Sequence, residues 1–273
     1  MRAPKAILLL SHAFLALDFA WSESITISNH SFEAPVTAPD TFQTLAPPPG
    51  WSAYGTLDFG WRTIGVVNPN TTLLYLDPVP HGSNIGVTFL GPTYSNLPSG
   101  LQQTLTTTLQ SRTTYTLTVA VGNMAYVPTP PHNAFNFNGF PGYRVELLAG
   151  GFVIAADHNS LLPGEGRFLT STVQVAISSS HTNIGLPLGI RLINLDAAPG
   201  IEVNFDDVRL DATAIPDPIV SIANESNGSV RVEFTEVLQQ SSDLQVWTNV
   251  TPQPGSPWML APTESVQFYR ASE

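Results

Sequence analysis

Thr113-Thr-Tyr-Thr-Leu-Thr-Val-Ala-Val121 is the stretch on which the fold class turns. Tyr115, Leu117, Val119 and Val121 fall on one face, which is the period-two pattern of a strand laid on a core. Its β-branched and aromatic residues suit a pleated surface. Outward from it, similar runs follow at short intervals: residues 84–90 and 101–109 before it, then 143–148, 152–156, 168–177, 188–195 and 203–210. None of the chain carries a 3.6-residue apolar stripe. Twenty-four prolines and twenty glycines oppose long helices, because proline removes a helix donor and clashes with the preceding turn. The expectation is an all-β chain: a jelly-roll β-sandwich followed by a second, small β domain.

The chain carries 21 acidic and 10 basic residues, a net charge of −11, so nucleic acid is excluded as a natural partner. There is no cysteine, which excludes disulfides, thiolate catalysis and Cys-type zinc sites. Arg2 and Lys5 precede a mostly apolar run at 6–20 and the small-x-small exit Ala20-Trp21-Ser22. This reads as a secretory signal peptide over 1–22, giving a secreted or periplasmic protein with no membrane attachment after cleavage. The larger domain is expected over 23–212 and a linker at 213–218, around Ile215-Pro-Asp-Pro218. The small β module follows over 219–273, with strands near 219–223, 229–234, 244–247 and 266–269. Two long loops, 35–60 and 124–142, interrupt the larger domain, and loops of that length are often functional. No H-E-x-x-H helix or G-x-S-x-G elbow is present. Asp157 and Asn159 read as turn residues.

Several segments together resemble the hapalindole-type Stig cyclases. They are Gly139-Phe-Pro-Gly-Tyr-Arg-Val-Glu-Leu-Leu-Ala-Gly150, Ala155-Ala-Asp-His-Asn159, Leu188-Gly-Ile-Arg-Leu-Ile-Asn-Leu195 and Phe205-Asp-Asp-Val-Arg-Leu210, with weaker echoes at Asn29-His-Ser-Phe-Glu33 and Asn84-Ile-Gly86. The resemblance implies a calcium-dependent jelly roll like a carbohydrate-binding module, with the ion tying the first strand to the last. Asn29, Glu33 and Asp206 are then the expected ligands, and their oxygens suit a hard cation.

The resemblance also implies a carboxylic acid on the last strand that protonates an indole–terpene intermediate. Alignment of the segments puts Asn204 at that place and Val87 at the place of a pocket tyrosine. Asparagine cannot deliver a proton. The reading is therefore a calcium-stabilised protein that binds a glycan or a small aromatic or terpenoid ligand. The alternative is a cyclase catalysing Cope rearrangement and cyclisation, with Asp206 as the acid if the alignment shifts by one strand step. Tyr75, Val87, Tyr126, Phe135, Phe137 and Phe140 are the candidate ligand contacts, because aromatic faces supply contact area at low entropic cost. A homodimer is compatible with this reading.

Overall fold

The computed structural model describes residues 22–58, 61–69, 71–91, 96–261 and 267–273. The expected signal peptide lies outside the described residues, apart from Ser22. The chain forms two compact units that divide between Ala214 and Ile215. The first contains β1 (Ser22–Ile25), β2 (Thr41–Gln43), β3 (Ser52–Tyr54), β4 (Arg62–Asn68), β5 (Ile85–Leu90), β6 (Ser99–Thr108), β7 (Thr113–Asn123), β8 (Tyr143–Ala149), β9 (Phe152–His158), β10 (Arg167–Ile177), β11 (Pro187–Asn194) and β12 (Glu202–Ala214). The last strand thus takes in the first two residues of the expected linker. A seven-stranded sheet runs β10-β7-β12-β5-β4-β2, with β1 also on β12, and a five-stranded sheet runs β3-β6-β11-β8-β9. This is the jelly-roll sandwich expected from the alternation.

One apolar cluster joins the two sheets. Ile64, Val66, Leu117, Val119 and Phe205 from the larger sheet meet Leu101, Val145, Leu147 and Leu192 from the smaller. Over β4, β5 and the start of β12 the larger sheet is buried on its other face too. There Val67, Ile85, Val87 and Phe89 form a second cluster with Leu74, Tyr75, Met124 and Ile201, roofed partly by Phe135 and Phe137. Burial on both faces explains why β5 is buried at every residue rather than alternating with solvent.

β12 organises the larger sheet. It pairs with β7 along its length, with β5 over residues 202–205 and with β1 over 210–213. The change of partner falls at a bulge between Asp206 and Arg209, where Asp207 has φ 46°. The bulged backbone is still paired: Val208 donates its N–H to the His30 carbonyl at 2.9 Å. The His30 loop is pinned in turn by Phe32, which is fully buried and stacked on Trp51 at 5.3 Å. Gly86 makes room for that ring, since a Cβ there would lie 2.9 Å from it. At the far edge, Asp157 of β9 accepts hydrogen bonds from Tyr143 of β8 and Ser171 of β10. It clips the two sheets together and also caps the turn after β9, since its Oδ1 accepts the N–H of Ser160 at 3.1 Å, as expected from the sequence.

The second unit contains β13 (Val220–Asn224), β14 (Val230–Phe234), β15 (Val237–Ser241), β16 (Thr248–Asn249), β17 (Trp258–Leu260) and β18 (Phe268–Ser272). They form two three-stranded sheets around Val232, Leu238 and Val250. The strand expected near 244–247 is a turn. Leu244 sits at φ 64°, and the Asp243 carboxylate accepts the N–H groups of Gln245 and Val246.

Phe32→Ala is expected to cost the first unit about 3–5 kcal/mol, the usual penalty for emptying a buried aromatic site. Urea unfolding checks this, and a loss below about 1 kcal/mol would contradict the stack as the anchor of the His30 loop.

Candidate active site

The outer face of the seven-stranded sheet carries a cavity of ≈ 440 Å³. Its floor includes Thr63 and Val67 of β4, Val87 and Phe89 of β5, and Glu202 of β12. One roof comes from the first long loop and β2, with Asp40, Phe42 and Leu45. The other comes from the second long loop, with His132, Phe135 and Phe137. Phe89, Phe135 and Phe137 meet edge to face, with centroids 4.9 to 6.5 Å apart. Phe42 is 67% exposed and Leu45 78% exposed, so the cavity opens to solvent along their rim.

Strand geometry decides which residues of β12 reach this cavity. Val203 and Phe205 point into the sandwich, so Glu202, Asn204 and Asp206 point the other way. Across the ladder Glu202 lies opposite Phe89, and Asn204 opposite Val87. Asn204 is wholly buried. Its Nδ2 donates to Glu202 Oε1 at 2.9 Å and to the Gly86 carbonyl at 3.3 Å, while its Oδ1 accepts the Tyr75 hydroxyl at 2.6 Å. Tyr75 is buried against Phe168 at 4.3 Å. Burial and the carboxylates of Glu202 and Asp206 push its pKa well above the ordinary value. The phenol therefore stays a neutral donor and fixes the orientation of the Asn204 amide.

Glu202 is the group that sequence reasoning passed over. Burial pushes its carboxyl up to about 7, and the Asn204 amide moderates that rise. Since Oε1 accepts the amide hydrogen, the proton of the neutral acid resides on Oε2. A buried acid poised near neutrality in a cavity wall is the form a general acid requires. The signal was available in the alternation of residues 202, 204 and 206, three polar side chains on one face of a strand that should be dry.

The other sequence candidates divide. Val87, Phe135 and Phe137 line the cavity, and Tyr75 supports its floor from behind. Phe140 packs instead on the sandwich core beside Tyr143, and Tyr126 is half-buried away from the cavity wall.

Glu33 and Asp206 hold the two ends of one loop. Glu33 Oε1 accepts the N–H groups of Ser83 and Asn84 at 2.9 and 2.8 Å. Asp206 Oδ2 accepts the N–H of His81 at 2.8 Å, and its Oδ1 that of Asp207 at 2.7 Å. Gly82 lies under Glu33 at φ 71°, and a Cβ there would sit 2.4 Å from the carboxyl carbon. Burial pushes Asp206 up to about 8, opposed by the two N–H donors and reinforced by the charges of Asp207 and Glu33. Without a cation this carboxyl holds its proton at neutral pH, and a hard cation bound there as part of a larger oxygen shell would take that proton's place. Asn29 does not present its side chain to that shell. It sits at φ 49° and spends its amide on Ala34 and Pro49, closing its own loop. Among the described residues no group of three or more His, Asp or Glu is arranged as a metal cluster.

The family profile described as HpiC1 cyclase matches residues 23–211. The chain belongs to the HpiC1-like cyclase family. Solved relatives in the family include the Stig cyclase Fisc from Fischerella sp. TAU in complex with (3Z)-3-(1-methyl-2-pyrrolidinylidene)-3H-indole. It is 36% identical, with a TM-score of 0.64, and the match covers 72% of this chain and 100% of that one. Another is a cyclase from Fischerella sp. TAU in complex with 4-(1H-indol-3-yl)butan-2-one, 38% identical with a TM-score of 0.62, covering 71% of this chain and 100% of that one. No curated protein matches the chain. The profile stops before the second unit, so membership of the HpiC1-like family describes the jelly roll.

The raised pKa of Glu202 has a consequence for stability. The unfolded chain releases this proton near 4.5, whereas the folded protein keeps it to about 7. Over that window the unfolded state binds fewer protons, so stability falls as pH rises. Glu202→Gln is expected to remove a loss of about 3 kcal/mol between pH 4.5 and 7, seen as the difference between wild-type and variant unfolding free energies at the two pH values.

Proposed function

We propose that this protein is a Stig-type cyclase that rearranges a small, apolar, indole-bearing substrate, with Glu202 as the proton donor. The observation that carries the reading is a buried carboxyl, poised near pH 7, in the wall of an aromatic cavity. The indole compounds bound by the Fischerella relatives supply the substrate class. An apolar cavity under two roofs favours such a ligand over a glycan chain, which needs an open cleft and more polar partners.

In this reading the aromatic walls exclude water, and the faces of Phe89, Phe135 and Phe137 stabilise positive charge as it develops. Glu202 Oε2 delivers the proton. Asn204 holds Oε1, and Tyr75 holds Asn204, so the donor keeps one position through the reaction. The Asn204 side chain that lacks a proton of its own thus becomes the positioning group for one that has it. We also propose that Glu33 and Asp206 share a calcium ion, which would neutralise the acidic junction between the His30 loop, the His81 loop and the β12 bulge. The export signal read from the sequence at residues 1–22 supports an activity outside the cytoplasm.

Incubation with an indole–isonitrile terpene precursor tests the first claim. Wild type is expected to convert it, and Glu202→Gln to lose about 10²–10⁴-fold in kcat while still binding 4-(1H-indol-3-yl)butan-2-one. Equal rates for both proteins would remove Glu202 from the chemistry. Thermal unfolding tests the second claim. Calcium is expected to raise the Tm of wild type and to leave Asp206→Asn unchanged, and chelation should reverse the rise.

A further inference from the structure

Three of the described residues lining the cavity carry ionisable side chains: Glu202 on the floor, and Asp40 and His132 in the roof. None of the described lining residues is Lys or Arg. His132 and Asp40 come from different loops and meet in the roof, with Nε2 of His132 3.3 Å from Oδ2 of Asp40. The side chain of His132 is 13% exposed and that of Asp40 36%, so the imidazole lies inward and the carboxylate toward solvent. The imidazole is held from behind by its own backbone. His132 begins a single 3-10 turn, His132–Ala134, directly after Pro130-Pro131, and its N–H donates to the Thr129 carbonyl at 3.1 Å. Nδ1 has no hydrogen-bond partner among the described residues.

We propose that His132, oriented by Asp40, is the base that removes the proton ending the cyclisation. This rests on the reading of Glu202 as the donor and adds the other half of the proton balance. A carboxylate facing Nε2 keeps the hydrogen on that nitrogen and leaves the Nδ1 lone pair as the acceptor.

The O–H bond of Glu202 breaks, and its proton adds to the substrate to give a cation. The π electrons of the indole ring form the new carbon–carbon bond. The C–H bond at the attacked ring carbon then breaks. Its electron pair restores the aromatic ring and its proton goes to Nδ1 of His132. The substrate has been isomerised, leaving Glu202 as carboxylate and His132 as imidazolium, which exchange protons with water at the Phe42 and Leu45 rim. Glu202 could recover its own proton only if the carbon that gains one and the carbon that loses one faced the same wall. The roof base removes that restriction.

The test is turnover of the indole–isonitrile terpene precursor, unlabelled and deuterated at the attacked ring carbon, by wild type, His132→Gln, His132→Ala and Asp40→Asn. For His132→Gln the expected result is a fall in kcat of about 10²-fold or more, with KM within twofold of wild type and a primary isotope effect larger than that of wild type. Asp40→Asn should show a smaller fall of the same kind. Added imidazole should restore part of the rate of His132→Ala, which a merely structural tie between the loops would not permit. A rise in KM with kcat unchanged, or no rescue by imidazole and no isotope effect, would overturn the proposal. Turnover lost in Glu202→Gln but kept in His132→Gln would overturn this inference alone. No turnover by wild type would overturn it together with the cyclase reading.

Discussion

A β-sheet that is covered on both faces over β4, β5 and the start of β12 is the constraint from which the site follows. Every polar side chain on such a sheet must find a partner or give up its charge, because an unpaired buried charge costs several kcal/mol. β12 places three polar residues in succession on the outer face, and each resolves the constraint differently. Asp206 takes two backbone N–H donors at the bulge. Asn204 uses both ends of its amide, between Tyr75 and Glu202. Glu202 accepts one hydrogen bond and otherwise holds its proton. The acid is therefore a product of the fold, since the same carboxyl on a solvated strand would ionise near its ordinary value.

The bulge separates two jobs on one strand. Before it, β12 belongs to the cavity and pairs with β5. After it, β12 belongs to the end of the sandwich and pairs with β1. The His30 loop fills the gap between them, held by the Val208 hydrogen bond and by the Phe32–Trp51 stack. Charge accumulates at that seam, where Glu33, Asp206 and Asp207 lie close enough to perturb one another. Arg209 takes up the Asp207 carboxylate at 2.8 Å, which leaves the other two to the His81 loop and to any cation bound there.

The sandwich was legible in the sequence because alternation is a local property. Tyr115, Leu117 and Val119 declare their common face without reference to any other strand, and all three are buried in the core. The short strands β2 and β3 inside the first long loop were not legible, since three residues set no period. The missing strand near residue 244 has a similar cause, as Asp243 captures the following N–H groups and turns the chain. At the site, Phe135, Phe137 and Val87 could be nominated from composition and family likeness. Glu202 escaped because what singles it out lies in its surroundings: Phe89 across the ladder, Asn204 two residues on, and loops far earlier in the chain closing over it. Asn29 illustrates the converse: a residue type suited to metal binding spends its side chain on its own turn in this structure.

The step from Asn204 to Glu202 is two residues along one strand, which is about 7 Å at the rise of extended chain. If Glu202 is the donor proposed above, a rigid guest that fills the cavity would have to present a different atom to it than to a donor mounted at 204. Regiochemistry would then be written by where along a single strand the carboxyl is mounted, and relatives with the same walls could diverge in product by moving that one group up or down the ladder.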